Sequence, residues 1–305
     1  MNTAYFTPPT TIAEYLDRLR RALAGADPAL VQDALYDAEE YLRSELAENP
    51  GKSEAAVIAS VAGSYGAPGE VADIYRDTEV TVQTALRPPH RAPHRSLAGR
   101  FFGVAAEPRT YAALFYMLLS LATGIFYFTW VVFGVSFSLG MSVLIIGIPI
   151  LILYFGSVRV LSLVEGRLVE AMLGERMPRR PLYSERGKPL LERVKDLFVD
   201  PRTWSTQLYF LLMLPLGVAY FIVAVTGLAT SLTLIASPLM LVTGASGYFM
   251  IGGIDVLSRP EPWAWPVAML LGVLLLFVTM HVARGIGQLH SQLAKHLLVK
   301  SAQYS

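Results

Sequence analysis

From Tyr111 to Val158, and again from Thr203 to Ile254, the chain contains no Asp, Glu, Lys, Arg or His. About 20 apolar residues cross a bilayer, so each run is long enough for more than one crossing. A third run begins at Pro266 and continues to Arg284, interrupted only by His281. The whole chain is 53% hydrophobic and 16% charged, against about 25% charged in ordinary soluble domains. Inside hydrocarbon every backbone amide must find its partner within the protein, which a helix does within one segment. The expectation is an all-α, polytopic membrane protein embedded in a lipid bilayer.

The formal net charge of +1 points to no nucleic-acid partner, and the absence of cysteine excludes disulfides and thiol chemistry. The N-terminus lacks the basic start and apolar core of a signal peptide, so the segment before Tyr111 is expected to stay in the cytoplasm.

Residues 1–85 read as a small helical domain. Thr11 and Glu14 have capping-box spacing, and Gly25 stops the helix they start. Asp27-Pro28 offers an N-cap followed by proline at the first position, where its missing N–H is harmless. That second helix should reach Glu48; Ser53 starts a third, and Pro68 opens a fourth that ends near Thr78. Apolar residues recur at helical spacing: Ile12, Tyr15 and Leu19; Leu30, Ala34, Ala38 and Leu42; Val57, Ile58 and Val61; Val71, Ile74 and Tyr75. The row Asp33, Asp37, Glu40 and Glu45 reads either as a solvated face or as a docking face.

These stretches, "YLDRLRRAL", "ALYDAEEYLRSEL" and "GKSEAAVIASVAGSYGAPGEVADIY", resemble the HAAS family of small cytoplasmic helical modules over residues 11–80. Gly51, Ser53, Glu54, Gly66, Pro68, Glu70 and Ala72 carry the match. The resemblance implies a signalling module fused to membrane segments, with a cytoplasmic protein partner docking on residues 11–80.

Residues 86–106 form a proline- and arginine-rich linker. His90 and His94 lack cysteine or carboxylate support for a metal, so the linker reads as a solvated basic segment and no metal or cofactor is expected. Beyond it, "EPRTYAALFYMLLSLATGIFYF" from Glu107 and "DPRTWSTQLYFLLMLPLGVAYF" from Asp200 are nearly the same text. An offset of 93 pairs Arg109 with Arg202, Tyr111 with Trp204, Tyr116 with Tyr209 and Gly124 with Gly217. Further on the offset is 125, pairing Arg159 with Arg284. We read an internal two-fold repeat, residues 107–199 and 200–305. Its shared start places an acid at the N-cap, proline at the first position, arginine (Arg109, Arg202) for phosphate headgroups and an aromatic (Tyr111, Trp204) at the interface. Arg159 and Arg284 belong to the same interfacial set. Each copy ends in an amphipathic stretch expected to lie along the membrane surface.

The basic segments before Glu107, between Arg159 and Arg202, and after His281 should share the cytoplasmic side by the positive-inside rule. Both termini are therefore expected inside a bacterial plasma (inner) membrane, with spans near 111–133, 136–158, 206–228 and 265–284. Residues 229–264 read as a re-entrant or broken helix followed by an outer loop, with Trp263 and Trp265 at the outer interface.

The "PRTY" and "PRTW" starts, with "LPLGVAYF", "SPLML", "GGIDVL" and "HVARGIGQLHSQLAKHLL", resemble the sensor membrane domain found ahead of many actinobacterial histidine kinases. Ser305 is reached without an ATP-binding or phosphoacceptor module, so the resemblance implies sensing, of envelope stress for example, rather than phosphotransfer.

The four assigned spans carry no ionisable residue at mid-membrane, which speaks against proton or sodium coupling. Pro149 and Pro238 suit either discontinuous transporter helices or kinks that let helices pack. Asp255 would bind a cationic ligand or cap a loop. His281, His290 and His296 suit a pH sensor, but with no carboxylate partner evident on the tail they read as interfacial packing. No nucleophile, base or carboxylate pair suggests an enzyme. The expected function is a non-enzymatic membrane sensor; the alternative is a lipid- or hydrophobe-binding transporter or flippase. Small residues at helix contacts allow a homo-oligomer as readily as a self-contained bundle.

Overall fold

The computed structural model describes residues 8–86, 96–141, 147–179, 195, 198–243, 250–251, 254–255 and 264–299. The linker histidines His90 and His94, the amphipathic stretch before Lys195, most of the outer loop and Trp263 lie outside the described residues.

Four helices build the N-terminal unit: α1 (Ile12–Ala22), α2 (Pro28–Glu48), α3 (Glu54–Ser64) and α4 (Pro68–Leu86). Their starts follow the expected chemistry. Thr11 Oγ1 accepts from the Glu14 amide, Asp27 from Ala29 and Ser53 from Ala56. The Glu14 carboxylate reaches back to the Thr10 amide rather than to the cap residue itself. Gly25 and Gly66 take positive φ, +82° and +112°, where other residues are strained. Tyr15 donates through its hydroxyl to the Gly66 carbonyl at 2.7 Å, tying α1 to the turn before α4. The apolar stripes meet in one core that includes Tyr15, Leu19, Leu30, Leu42, Ile58 and Val71.

Two expectations shift here. Ile74 stands 60% exposed, because the face of α4 that turns inward carries Val71, Ala72 and Tyr75. The helix also runs on past Thr78 to Leu86; the TEVTVQTAL stretch holds neither glycine nor proline to stop it.

A short helix α5 (Leu97–Gly103) and one 3-10 turn (Val104–Ala106) lead into the bundle. The bundle consists of α6 (Pro108–Met141), α7 (Gly147–Leu173), α8 (Pro201–Thr243) and α9 (Ala264–Leu298). All four are long and apolar enough to cross a membrane. Two short strands, β1 (Met250–Ile251) and β2 (Ile254–Asp255), pair antiparallel between α8 and α9, with Met250 opposite Asp255.

The helix breaks differ from those expected. The first span, expected near 111–133, runs on to Met141 through Gly134. A Cβ there would collide with the Tyr154 ring, so the glycine serves close packing of α6 on α7. Pro238 does not break α8 either: 43 residues run from Pro201 to Thr243 with Pro215 and Pro238 inside. At 1.5 Å per residue such a helix is about 65 Å long, roughly twice a hydrocarbon core. The stretch read as re-entrant is thus largely its continuation. The amphipathic ends, too, are extensions of α7 and α9 that pack into the bundle, with Val169, His290, Ala294 and Leu298 all buried.

Backbones touch where glycine stands. A side chain on Gly124 would strike the Met213 carbonyl, and one on Gly217 would strike the Ser120 carbonyl. Gly227 lies against Thr279, and Gly272 against the backbone of Ser231 and Ile235.

Candidate functional site

The N-terminal unit sits on one end of the bundle, held by charge. Asp27, the N-cap of α2, accepts from Lys295 Nζ at 2.6 Å, and the same ammonium reaches Glu175 at 2.5 Å. Asp33, one turn and a half into α2, accepts from the Arg179 amide at 2.7 Å and lies 3.7 Å from the Arg176 guanidinium. Arg176 also pairs with Glu79 of α4. Arg202, near the start of α8, donates to Gln32 Oε1 at 2.7 Å. Between these polar contacts Ala29 is fully buried, in one cluster with Val169, Met177, Ala294 and Leu298.

Burial pulls the Arg176 guanidinium below its ordinary value, and the Asp33 carboxylate beside it works against that pull. A cation removed from water in this way is stable only with its carboxylates in place. Of the acidic row on α2, then, Asp33 faces the bundle, while Asp37 accepts from the Tyr75 hydroxyl at 2.8 Å within its own domain.

The residues assigned to the membrane interface divide into two sets. Tyr111 is half exposed and donates to the Ala105 carbonyl at 2.8 Å. Trp204, equally exposed, donates to the Phe198 carbonyl at 2.9 Å. Arg159 lies 3.6 Å from Asp200, and Arg284 lies 2.7 Å from Glu107. Arg109 packs its guanidinium against Gly174, whose φ is +74°. Arg202, by contrast, is 9% exposed and turned toward Gln32. Pro149 stands in the first turn of α7, Trp265 is buried at the start of α9, and Asp255 ends β2. These last three and Pro238 share no common site with the latch formed by Asp27, Asp33 and Glu79 with Lys295 and Arg176.

Below the latch lies a group that spacing alone did not single out. Glu165 of α7 and His290 of α9 are buried in the bundle with exposures of 0% and 1%. Tyr116 of α6 and Tyr209 of α8 stand between them. The Tyr116 hydroxyl is 2.6 Å from Glu165 Oε1 and 2.6 Å from His290 Nε2; Tyr209 is 2.9 and 3.0 Å from the same two atoms. Glu165 and His290 lie beyond the spans assigned at 136–158 and 265–284; what changes is that His290, read as interfacial packing, is buried in the bundle and linked to a carboxylate through the two tyrosines. The reason is that α7 and α9 continue straight instead of turning onto the surface. The signal was present: Glu165 sits in a stripe with Val158 and Val169, and His290 in a stripe with Ala283, Gly287 and Ala294, all otherwise apolar or small. His281, meanwhile, meets the Phe101 carbonyl at 3.0 Å. Among the described residues no group of three or more His, Asp or Glu could hold a metal ion.

Residues 116–298 match the profile of a family described as "Putative sensor". The chain belongs to this family. The sensor-family match spans all four long helices, and with them both tyrosines, Glu165, His290 and Lys295. Residues 14–73 match the HAAS family, which covers α1 to α3 and the start of α4. Both are non-catalytic signalling families, and together with four apolar helices they fit a membrane signalling protein. No curated protein and no solved structure matches the chain.

Proposed function

We propose that this sensor-family protein is a non-enzymatic relay of the bacterial plasma membrane. A change in the bundle alters how the HAAS domain is held, and the HAAS domain passes that change to a cytoplasmic protein. The observation that carries this reading is the latch: Asp27, Asp33 and Glu79 of the N-terminal domain pair with Lys295 and Arg176 at the ends of the very helices that cross the membrane. Such a contact couples the two units without a covalent bond, and because its charges are largely buried each cation depends on its carboxylates staying in place.

Both ends of the described chain lie at this same end of the bundle, since α2 meets the last turns of α9. Among the described residues, the basic side chains of Arg176, Arg202 and Lys295 gather there, which supports a cytoplasmic placement for both termini.

In-cell crosslinking with mass spectrometry tests the reading, comparing the intact protein with a form lacking residues 1–80. A specific cytoplasmic partner lost with the deletion is the expected result. Recovery of lipids and copies of itself alone, from both forms, would count against the relay.

One feature favours the second reading, a protein that binds or moves amphiphiles. A small groove beside the start of α8 is lined by apolar side chains, Phe155, Val158 and Leu163, together with polar ones, Arg159, Asp200 and Thr206. Movement of a labelled phospholipid by reconstituted vesicles, above that of empty ones, would support it.

A further inference from the structure

The cluster of Glu165, His290, Tyr116 and Tyr209 can be understood by counting protons. A phenol owns one, yet the Tyr116 oxygen sits 2.6 Å from both Glu165 Oε1 and His290 Nε2. Two contacts that short need two protons. Tyr116 and Tyr209 therefore donate to the carboxylate, and His290 donates through Nε2–H to the phenol oxygens, a tautomer assigned from these hydrogen bonds. His290 Nδ1 is left to accept from Tyr220, 3.4 Å away. In this arrangement the imidazole is neutral and Glu165 carries a whole charge inside the bundle. Its second oxygen, Oε2, is buried without a hydrogen-bond partner among the described residues. A carboxylate oxygen out of water without a full hydrogen bond is costly; the Tyr127 hydroxyl faces Glu165, and a proton is the smallest group that satisfies the oxygen. The titratable groups facing the pair are Tyr116 and Tyr127 from α6 and Tyr209 and Tyr220 from α8, with α7 and α9 contributing Glu165 and His290.

The position of the cluster is as informative as its chemistry. The offset of 93 carries Tyr116 to Tyr209 and Tyr127 to Tyr220, and the offset of 125 carries Glu165 to His290. Other contacts come in pairs under the same two offsets. Gly124 meets Met213 as Gly217 meets Ser120, and Gly134 meets Tyr154 as Gly227 meets Thr279. Arg159 pairs with Asp200 as Arg284 pairs with Glu107. Reciprocal contacts of this kind are what a two-fold axis produces. An acid and a base thus face each other where such an axis would run.

We propose that Glu165 and His290, bridged by Tyr116 and Tyr209 on the pseudo-two-fold axis of a duplicated bundle, form a proton-binding site, and that its loading alters the grip of α7 and α9 on the HAAS domain. The coupling half rests on the relay reading above. The proton comes from water and binds Glu165 Oε2; no other bond forms or breaks. Neutralised, Glu165 pulls less on the two phenols, and the hydrogen bonds joining α7 to α9 rearrange. Glu165 precedes Glu175 and Arg176, and His290 precedes Lys295 by five residues, about 8 Å along the helix. Lys295 of the latch is thus on the helix of His290, and Glu175 and Arg176 follow directly on the helix of Glu165, just past its end at Leu173.

The test uses the full chain in nanodiscs of phosphatidylethanolamine and phosphatidylglycerol. Infrared difference spectra between about pH 5 and about pH 9 should show one buried carboxylic-acid band, absent in Glu165→Gln and moved in midpoint by about one unit or more in His290→Gln. Identical difference spectra for wild type and Glu165→Gln would overturn the site. If Glu165→Gln does not fold, midpoints unmoved in both His290→Gln and Tyr209→Phe overturn it equally. Because the chain has no cysteine, spin labels at Ala55→Cys and Val160→Cys report the distance between the HAAS domain and the bundle without background. That distance should change across the same midpoint and lose its pH dependence in Glu165→Gln. A titrating band with a fixed distance would keep the site and overturn the coupling, while partner capture by residues 1–80 judges the relay separately.

Discussion

Lys295 and Asp27 are 268 residues apart in sequence and 2.6 Å apart in space. One closes the last turns of the final membrane helix; the other caps the second helix of the HAAS domain. Each keeps about 15% of its side-chain surface, so the pair is neither a surface ornament nor a fully buried ion pair.

Reversing one member, in Lys295→Glu or Asp27→Lys, should loosen the docking of the HAAS domain by about 10- to 100-fold, about 1.4–3 kcal/mol for a charged hydrogen bond in this setting. Limited proteolysis of the 86–106 linker and the spin-label distance should both report it. The double reversal restores part of the loss; a double mutant no better than either single would show that the two do not interact.

The close approach of α6 and α8 makes a second expectation sharp. Gly124→Leu and Gly217→Leu should each destabilise the bundle by about 2 kcal/mol or more, because the added side chain meets backbone rather than a movable neighbour. Thermal unfolding in detergent followed by circular dichroism measures it. Gly156→Leu, with open space around its position, should cost far less.

Two glycines of the HAAS domain should answer alanine in opposite ways. Gly63 lies in α3 with nothing near its missing Cβ, so Gly63→Ala should raise domain stability by about 0.5–1 kcal/mol. Gly66, at φ +112° and against Val71, should lose about 1–2 kcal/mol in Gly66→Ala. Hydrogen exchange across α1 to α4 separates the two.

Tyr75 gives the HAAS domain a high-pH limit. Burial, and then its hydrogen bond to Asp37, raise its phenol above the ordinary value of 10. The folded value exceeds the unfolded one, so this contribution is whole below about pH 10 and drains away as pH rises through the folded value. Tyr75→Phe should cost about 1 kcal/mol near neutrality yet soften the alkaline loss, as fluorescence during alkaline titration would reveal.

Much of this molecule is legible in its sequence for a physical reason: capping and burial are local rules. Thr11, Asp27, Ser53 and Gly25 act where their spacing says they should, and the charge-free runs leave no choice but the membrane. The breaks were misread because glycine and proline mean one thing in water and another in a bundle. Pro238, read as a break, lies inside the unbroken helix Pro201–Thr243. Glu165 and His290 stayed hidden for a related reason. An amphipathic stretch looks the same whether its polar residues face headgroups or face one another, and only the straight course of α7 and α9 decides between the two. The latch joins residues that no spacing rule connects.

Where Gly124 and Gly217 lie against the opposite backbones, α6 and α8 are separated by little more than hydrogen atoms, at two levels. Such a seam can neither widen, for want of anything to fill it, nor tighten. It is the spine of the molecule, and what moves in response to a stimulus must be what leans on it: α9, and α7 with the residues that follow it, which carry the acid, the base and the grip on the HAAS domain. Substitutions that uncouple stimulus from response should therefore gather on those two limbs, and substitutions in the seam should instead decide whether there is a protein at all.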